Sequence, residues 1–204
     1  MKKILLALTI VAVIALAVGS IAYTGSPNNM LGMQIKKAKE DPSGNRVIAR
    51  VNGQPITKQR YQERLATQSL AYKQLGKSAP TKQELINALA KSILLQEEAT
   101  RRGIKVSDAE VQEFLEKQKA AIESMPDENK QVYTEMLQGM GMTEEQYWSS
   151  KETFDAYKKA LYVAKFRGQF RKDANTPEEY KKAEERCSAF IEDMLKNAKI
   201  EILE

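Results

Sequence analysis

The sequence predicts a mainly α domain, closed by a small two-stranded β-sheet that joins its first and last strands, behind an N-terminal transmembrane or signal helix. Three observations carry this. Four Ser/Thr residues are each followed three positions later by Glu or Gln and then by an apolar periodic run, the signature of capped helix starts. A short alternating stretch, VIARVN at 47–52, has no partner close by in sequence. A second alternating stretch, KIEIL, closes the chain at 199–203.

Taken in order, residues 1–23 pair Lys2 and Lys3 with an uncharged apolar run from Ile4 to Tyr23. About 20 such residues span the ~30 Å hydrocarbon core of a bilayer, whereas a signal-peptide core has only about 7–15. The expectation is an uncleaved single-pass anchor in the cell membrane, lysines on the cytoplasmic side and the rest of the chain outside the cytoplasm. Small residues at Ala17-Val18-Gly19 and Ser20-Ile21-Ala22 leave cleavage, and a secreted domain, as the alternative. Residues 24–45 are rich in Gly, Pro, Ser and Asn without sustained periodicity, and read as a flexible or partly helical tether. The domain proper then covers residues 46–204.

In the first strand, Val47, Ala49 and Val51 fall on one face and Ile48, Arg50 and Asn52 on the other, with Gly53 and Pro55 ending it. The capped helix starts are Thr81 with Glu84, Ser107 with Glu110, Thr143 with Gln146, and Thr176 with Glu179. A helix after Thr57 aligns Tyr61, Leu65, Tyr72 and Leu75. The helix after Thr81 carries Leu85, Ile86, Leu89, Ile93 and Leu94, the broadest apolar stripe, and ends at Gly103. The next, from Ser107, is broken by Pro126; a shorter one with Val132, Met136 and Met140 loosens at Gly139 and Gly141. One helix is expected from Glu144 to about Arg171 and another from Pro177 to about Ala198. A lone strand cannot satisfy its own backbone groups, so residues 199–203 are expected to pair with 47–52, a closure of high contact order.

Composition excludes several functions. The chain has no histidine and a single cysteine, so Ser-His-Asp and Cys-His catalysis, His-containing zinc sites, internal disulfides and CxxC sites cannot be built. Cys187 shares an apolar stripe with Tyr180, Ala183, Ile191 and Met194 and reads as a buried small hydrophobe. A net charge of +5, with acidic and basic residues interspersed, argues against nucleic acid. The paired glutamates 97–98, 144–145, 178–179 and 184–185 read as solvated helix surface, and no phosphate-binding glycine loop is present. The expectation is a protein without cofactor or metal, and not an enzyme.

The strand-turn VNGQPIT, the stretch LINALAKSILLQEEATRRGIKVSDAEV, the helix start GMTEEQYW and the closing KIEIL together resemble the SurA N-terminal chaperone domain family. The resemblance covers residues 46–204, with a looser likeness to the substrate-binding part of trigger factor, and implies a multi-helix domain that binds unfolded or extended exported polypeptides. Members of that family commonly carry a parvulin prolyl isomerase domain, with active-site histidines, before the final helix and strand. Here a connector near residues 172–176 leaves no room for one, so the resemblance implies a chaperone module without isomerase activity. Two alternatives remain: a dedicated envelope adaptor for one folded partner, or a component of a prolyl isomerase system. The sequence does not give the oligomeric state.

For the client contact the candidates are Met125, Tyr133, Met136, Met140, Met142, Tyr147 and Trp148, because unbranched, polarizable methionine adapts to varied partners and aromatics anchor them. The same side chains would equally fill irregular core space at the Gly139–Gly141 break. Tyr147 and Trp148, being adjacent, are not expected to point into one core together.

Overall fold

The computed structural model describes residues 26–203, so the predicted N-terminal anchor lies outside the described residues. Among the described residues eight helices and three strands follow one another: α1 (Pro27–Glu40), β1 (Val47–Val51), β2 (Gln54–Thr57), α2 (Lys58–Gln74), α3 (Lys82–Arg101), α4 (Asp108–Glu123), α5 (Asp127–Met140), α6 (Glu144–Ser149), α7 (Lys151–Phe170), α8 (Pro177–Asn197) and β3 (Ile200–Ile202). No helix among the described residues is long and apolar enough to cross a membrane.

All four predicted capping boxes form. In each, the Ser or Thr side chain accepts from the backbone N–H three residues on, and the Glu or Gln at that position accepts from the cap's own N–H. Ser26 and Ser150 cap α1 and α7 by the first half of the same chemistry. The expected single helix from Glu144 to Arg171 is therefore two. Ser150 takes extended backbone, ending α6 and opening α7, and its hydroxyl accepts from Thr153 N–H at 3.1 Å.

The sheet has three strands, not two, in the order β2-β1-β3. The pairing of the chain's two ends is as expected: Ala49 faces Ile202, Arg50 faces Glu201 and Val51 faces Ile200. Asn52 N–H donates to Lys199 O at 2.9 Å, and Leu203 N–H to Ile48 O at 2.9 Å. The added strand is β2. Asn52 and Gly53 both hold positive φ (49° and 85°), the requirement of a type I′ hairpin turn, so these residues connect two strands instead of stopping one. Pro55 is tolerated because β2 is an edge. An irregularity in register between Val47 and Ala49 breaks the simple alternation, so Ile48, Ala49 and Val51 are all buried.

Three apolar clusters run through the molecule. Ile48, Val51 and Ile56 of the sheet pack on Ile86, Leu89, Ile93 and Leu94 of α3. Further along α3, Leu95 and Ala99 meet Phe166 of α7 with Cys187 and Ile191 of α8. Arg102 lies over this second cluster, its guanidinium carbon 4.9 Å from the Phe166 and Phe190 ring centres. The third cluster joins Val111, Leu115 and Ile122 of α4 with Tyr133 and Leu137 of α5 and Trp148 of α6. α3 is shared by the first two and α7 by the last two.

Residues 27–40, read from sequence as part of a tether, form α1, docked on the domain. α1 crosses α5 at glycines: a Cβ on Gly32 would lie well inside 3.0 Å of Met136 O and 2.8 Å from Met140 N, and one on Gly139 would be 2.9 Å from Met33 N. At the same crossing Asn28 Nδ2 donates to Glu135 Oε2 at 3.2 Å, and Asn29 Nδ2 to Glu135 O at 3.4 Å. Hydrogen bonds from Ser26, Asn28 and Gln131 hold the Glu135 carboxyl below its ordinary range. After α1, Asp41 and Ser43 both bond Lys58 at the start of α2.

Candidate functional site

The third cluster carries the aromatic residues singled out by sequence. Tyr133, Tyr147 and Trp148 form a triangle with ring centres 5.1–6.3 Å apart, and Tyr157 lies 6.0 Å from Trp148. Both neighbours of the Tyr147-Trp148 pair thus enter one cluster, contrary to expectation. α6 is a helix of only six residues that ends where α5 and α7 converge, so side chains about 100° apart on it both find apolar partners. Burial raises the phenol pKa of Tyr133, Tyr147 and Tyr157, keeping all three neutral and unsuited to proton transfer near neutral pH.

An open groove of about 770 Å³ runs between α4, α6 and α7. Trp148 and Phe154 supply its apolar surface. Lys119 and Lys151 stand on its walls with Glu144 and Glu145, and Gln112 adds an amide. Trp148 itself is mostly buried, and its Nε1–H donates to Glu144 Oε1 at 3.2 Å, fixing the indole against the groove wall. The N-terminal turn of α6, with Glu144 and Glu145 next to the Thr143 cap, sets where these carboxylates project.

Of the seven sequence candidates, only Trp148 lines the groove. Tyr133 is buried behind it, and Met125, Met136 and Tyr147 pack half-buried against the same cluster. Met140 and Met142 are half-buried at the end of α5, around the left-handed Gly141. Sequence reasoning did not bring in Phe154, Lys119, Lys151 or Gln112. A signal existed for two of them: Gln112 and Lys119 are seven residues apart, and so share one side of α4 beside the Leu115 core position.

Elsewhere the paired glutamates are not uniformly solvated. Glu98 is 10% exposed and takes both Arg101 and Arg102, which bring its carboxyl down to about 2, and Glu184 binds Arg171 and Arg167. Cys187 is fully buried and burial raises its thiol. Among the described residues, no three His, Cys, Asp or Glu side chains are grouped so that they could hold a metal ion.

The family model described as SurA-like N-terminal domain matches residues 1–161, from the apolar N-terminal run to Leu161 in α7. The chain belongs to the SurA-like N-terminal domain family. No curated protein and no solved structure matches it. In this SurA-like domain the groove lies within the matched residues, whereas α8 and the closing strand β3 follow them. The link from α7 to α8 is a turn of six residues, 171–176, with Ala174 N–H bonded to Arg171 O, so no domain is inserted there.

Proposed function

We propose that this SurA-like domain is a chaperone-like module, held outside the cytoplasm by residues 4–23, that binds extended or unfolded exported polypeptide without isomerising prolyl bonds. The observation that supports it best is the open groove with Trp148 and Phe154 between charged walls, in a chain of the SurA-like N-terminal domain family, membership of which suggests a chaperone-like role. An extended segment would lay apolar side chains on the two rings, while Lys119, Lys151, Glu144 and Glu145 meet its polar groups. Many weak contacts of this kind release a client as readily as they hold it.

Trp148 is the sole tryptophan, so its emission reports on the groove directly. Titrating the full chain in detergent with a panel of unrelated apolar and aromatic peptides should shift that emission, with affinities of about 1–100 μM. Phe154→Asp should abolish the shift. Binding that is indifferent to Phe154→Asp, or no binding across the panel, counts against the groove.

A second reading, a dedicated adaptor for one envelope partner, is favoured by the methionines. Met125 and Met136 pack against the core, leaving a groove with little of the adaptable surface that promiscuous binders use. Capture of one folded partner, with silence towards peptides, would select it.

A further inference from the structure

We infer that the outer face of α1 rests on an anionic phospholipid surface through Met30, Met33 and Lys37, an interaction that depends on residues 4–23 spanning the bilayer. Met30 and Met33 are 52% and 57% exposed, large apolar side chains in water on a helix whose opposite face buries Asn28 and Gly32 against α5. At about 100° per residue, positions 30, 33 and 37 fall within roughly 60° of arc, one continuous stripe. Lys37 is exposed and has no ion pair among the described residues, whereas Lys36 and Lys39 are engaged with Glu40 and Glu152. The stripe therefore joins two apolar side chains to a lysine that makes no ion pair among the described residues, beside a groove that Met33 and Lys37 share with Lys36, Glu40 and Asp41, and the long stem of Lys37 lets its ammonium reach lipid phosphates.

Chain length selects a lipid surface over other occupants. Met30 follows Tyr23 by seven residues, which reach about 10 Å as helix and at most about 25 Å when extended. If the apolar run crosses the bilayer, α1 starts at or close to the headgroup layer, and a face with Met30 and Met33 outward has the interface as its nearest apolar medium. Because α1 is fixed to α5 by backbone contact at Gly32 and Gly139, seating this stripe would set the orientation of the whole domain on the membrane.

The test uses the full chain reconstituted in vesicles of phosphatidylglycerol and phosphatidylcholine, with Met33→Cys carrying an environment-sensitive fluorophore and Leu75→Cys as an exposed control. Cys187 is fully buried and does not compete for label in the folded chain. The expected result is blue-shifted emission at position 33 that lipid-borne quenchers reduce, absent at position 75. The shift should weaken at least twofold in phosphatidylcholine alone or with Lys37→Glu. A water-like spectrum at position 33 in a chain that resists alkaline extraction would overturn the inference while leaving the anchor intact. Release of the chain by alkali would overturn both. A shift that follows protein concentration and ignores lipid charge would assign the stripe to a second copy of the chain and overturn it too. Peptide binding by Lys37→Glu should match the parent chain, so loss of client binding and loss of lipid contact are separable.

Discussion

Gly139→Ala and Gly168→Ala make the same chemical change in two helices, and the structure gives them opposite signs. At Gly168, in α7, an added methyl meets nothing within 4 Å. Removing a helical glycine there should stabilise by about 0.5–1 kcal/mol. At Gly139 the methyl would enter the backbone of α1, with Asn29 O and Met33 N both at or inside about 3 Å, and neither atom can rotate away. Restoring ordinary contact requires the two helices to part by about 1 Å, an overpacking cost of about 1–3 kcal/mol. Parting also stretches the Asn28 and Asn29 bonds to Glu135, each contributing about 1 kcal/mol. Set against the helix-propensity gain, the net loss is about 1–3 kcal/mol, concentrated in the docking of α1. Amide hydrogen exchange over residues 27–40 should accelerate about 5- to 150-fold in Gly139→Ala, with α3 and the sheet much less affected. In Gly168→Ala, α1 exchange should be unchanged and the global midpoint slightly raised. Equal exchange of α1 in Gly139→Ala and the parent chain would refute the glycine-contact account of how α1 is held.

Other outcomes follow from the same contacts. Thr81→Ala and Ser107→Ala each remove a capping box and should cost about 1 kcal/mol in denaturant unfolding, with an unchanged slope. Glu98 has a folded pKa of about 2 against 4.5 for the free side chain, so its contribution is present above pH 4.5 and is lost as the pH falls towards 2. Glu98→Gln should therefore show a shallower loss of stability across that window while being less stable at pH 7. Cys187 should react with a thiol reagent only as fast as the protein opens, since the thiol is buried and its pKa raised.

Much of the fold was legible because its determinants are local. A capping box needs only four consecutive residues, and all four formed; the alternation in KIEIL pointed to the strand that pairs with 47–52. What escaped had another origin. The docking of α1, in a segment read as a flexible or partly helical tether, escaped because the face it buries is Asn28, Gly32 and Ala38 and not an apolar stripe, and its contact is backbone against backbone. β2 was hidden by Asn52-Gly53 and Pro55, residues that punctuate a chain whether they end a strand or turn it into a hairpin. The split at Ser150 has no glycine or proline to announce it, only a serine that exchanges helix for cap. At the site, Trp148 was legible as an aromatic next to a helix start, but Phe154, Lys119 and Gln112 converge on it from two further helices. Such convergence is tertiary and has no spacing in the chain.

The order in which the strands are made bears on the protein's own biogenesis. β1 and β2 emerge about 150 residues ahead of β3, roughly 7–30 s at ordinary rates of synthesis of about 5–20 residues per second. Through that interval the hairpin presents one edge of β1 with its hydrogen-bonding groups unpaired, and in its first part, until residues 82–101 emerge as α3, Ile48, Val51 and Ile56 are uncovered beside that edge. An open edge next to uncovered apolar side chains is what draws nascent chains into wrong pairings. For the first seconds of its existence this domain is the kind of polypeptide that it is proposed to hold.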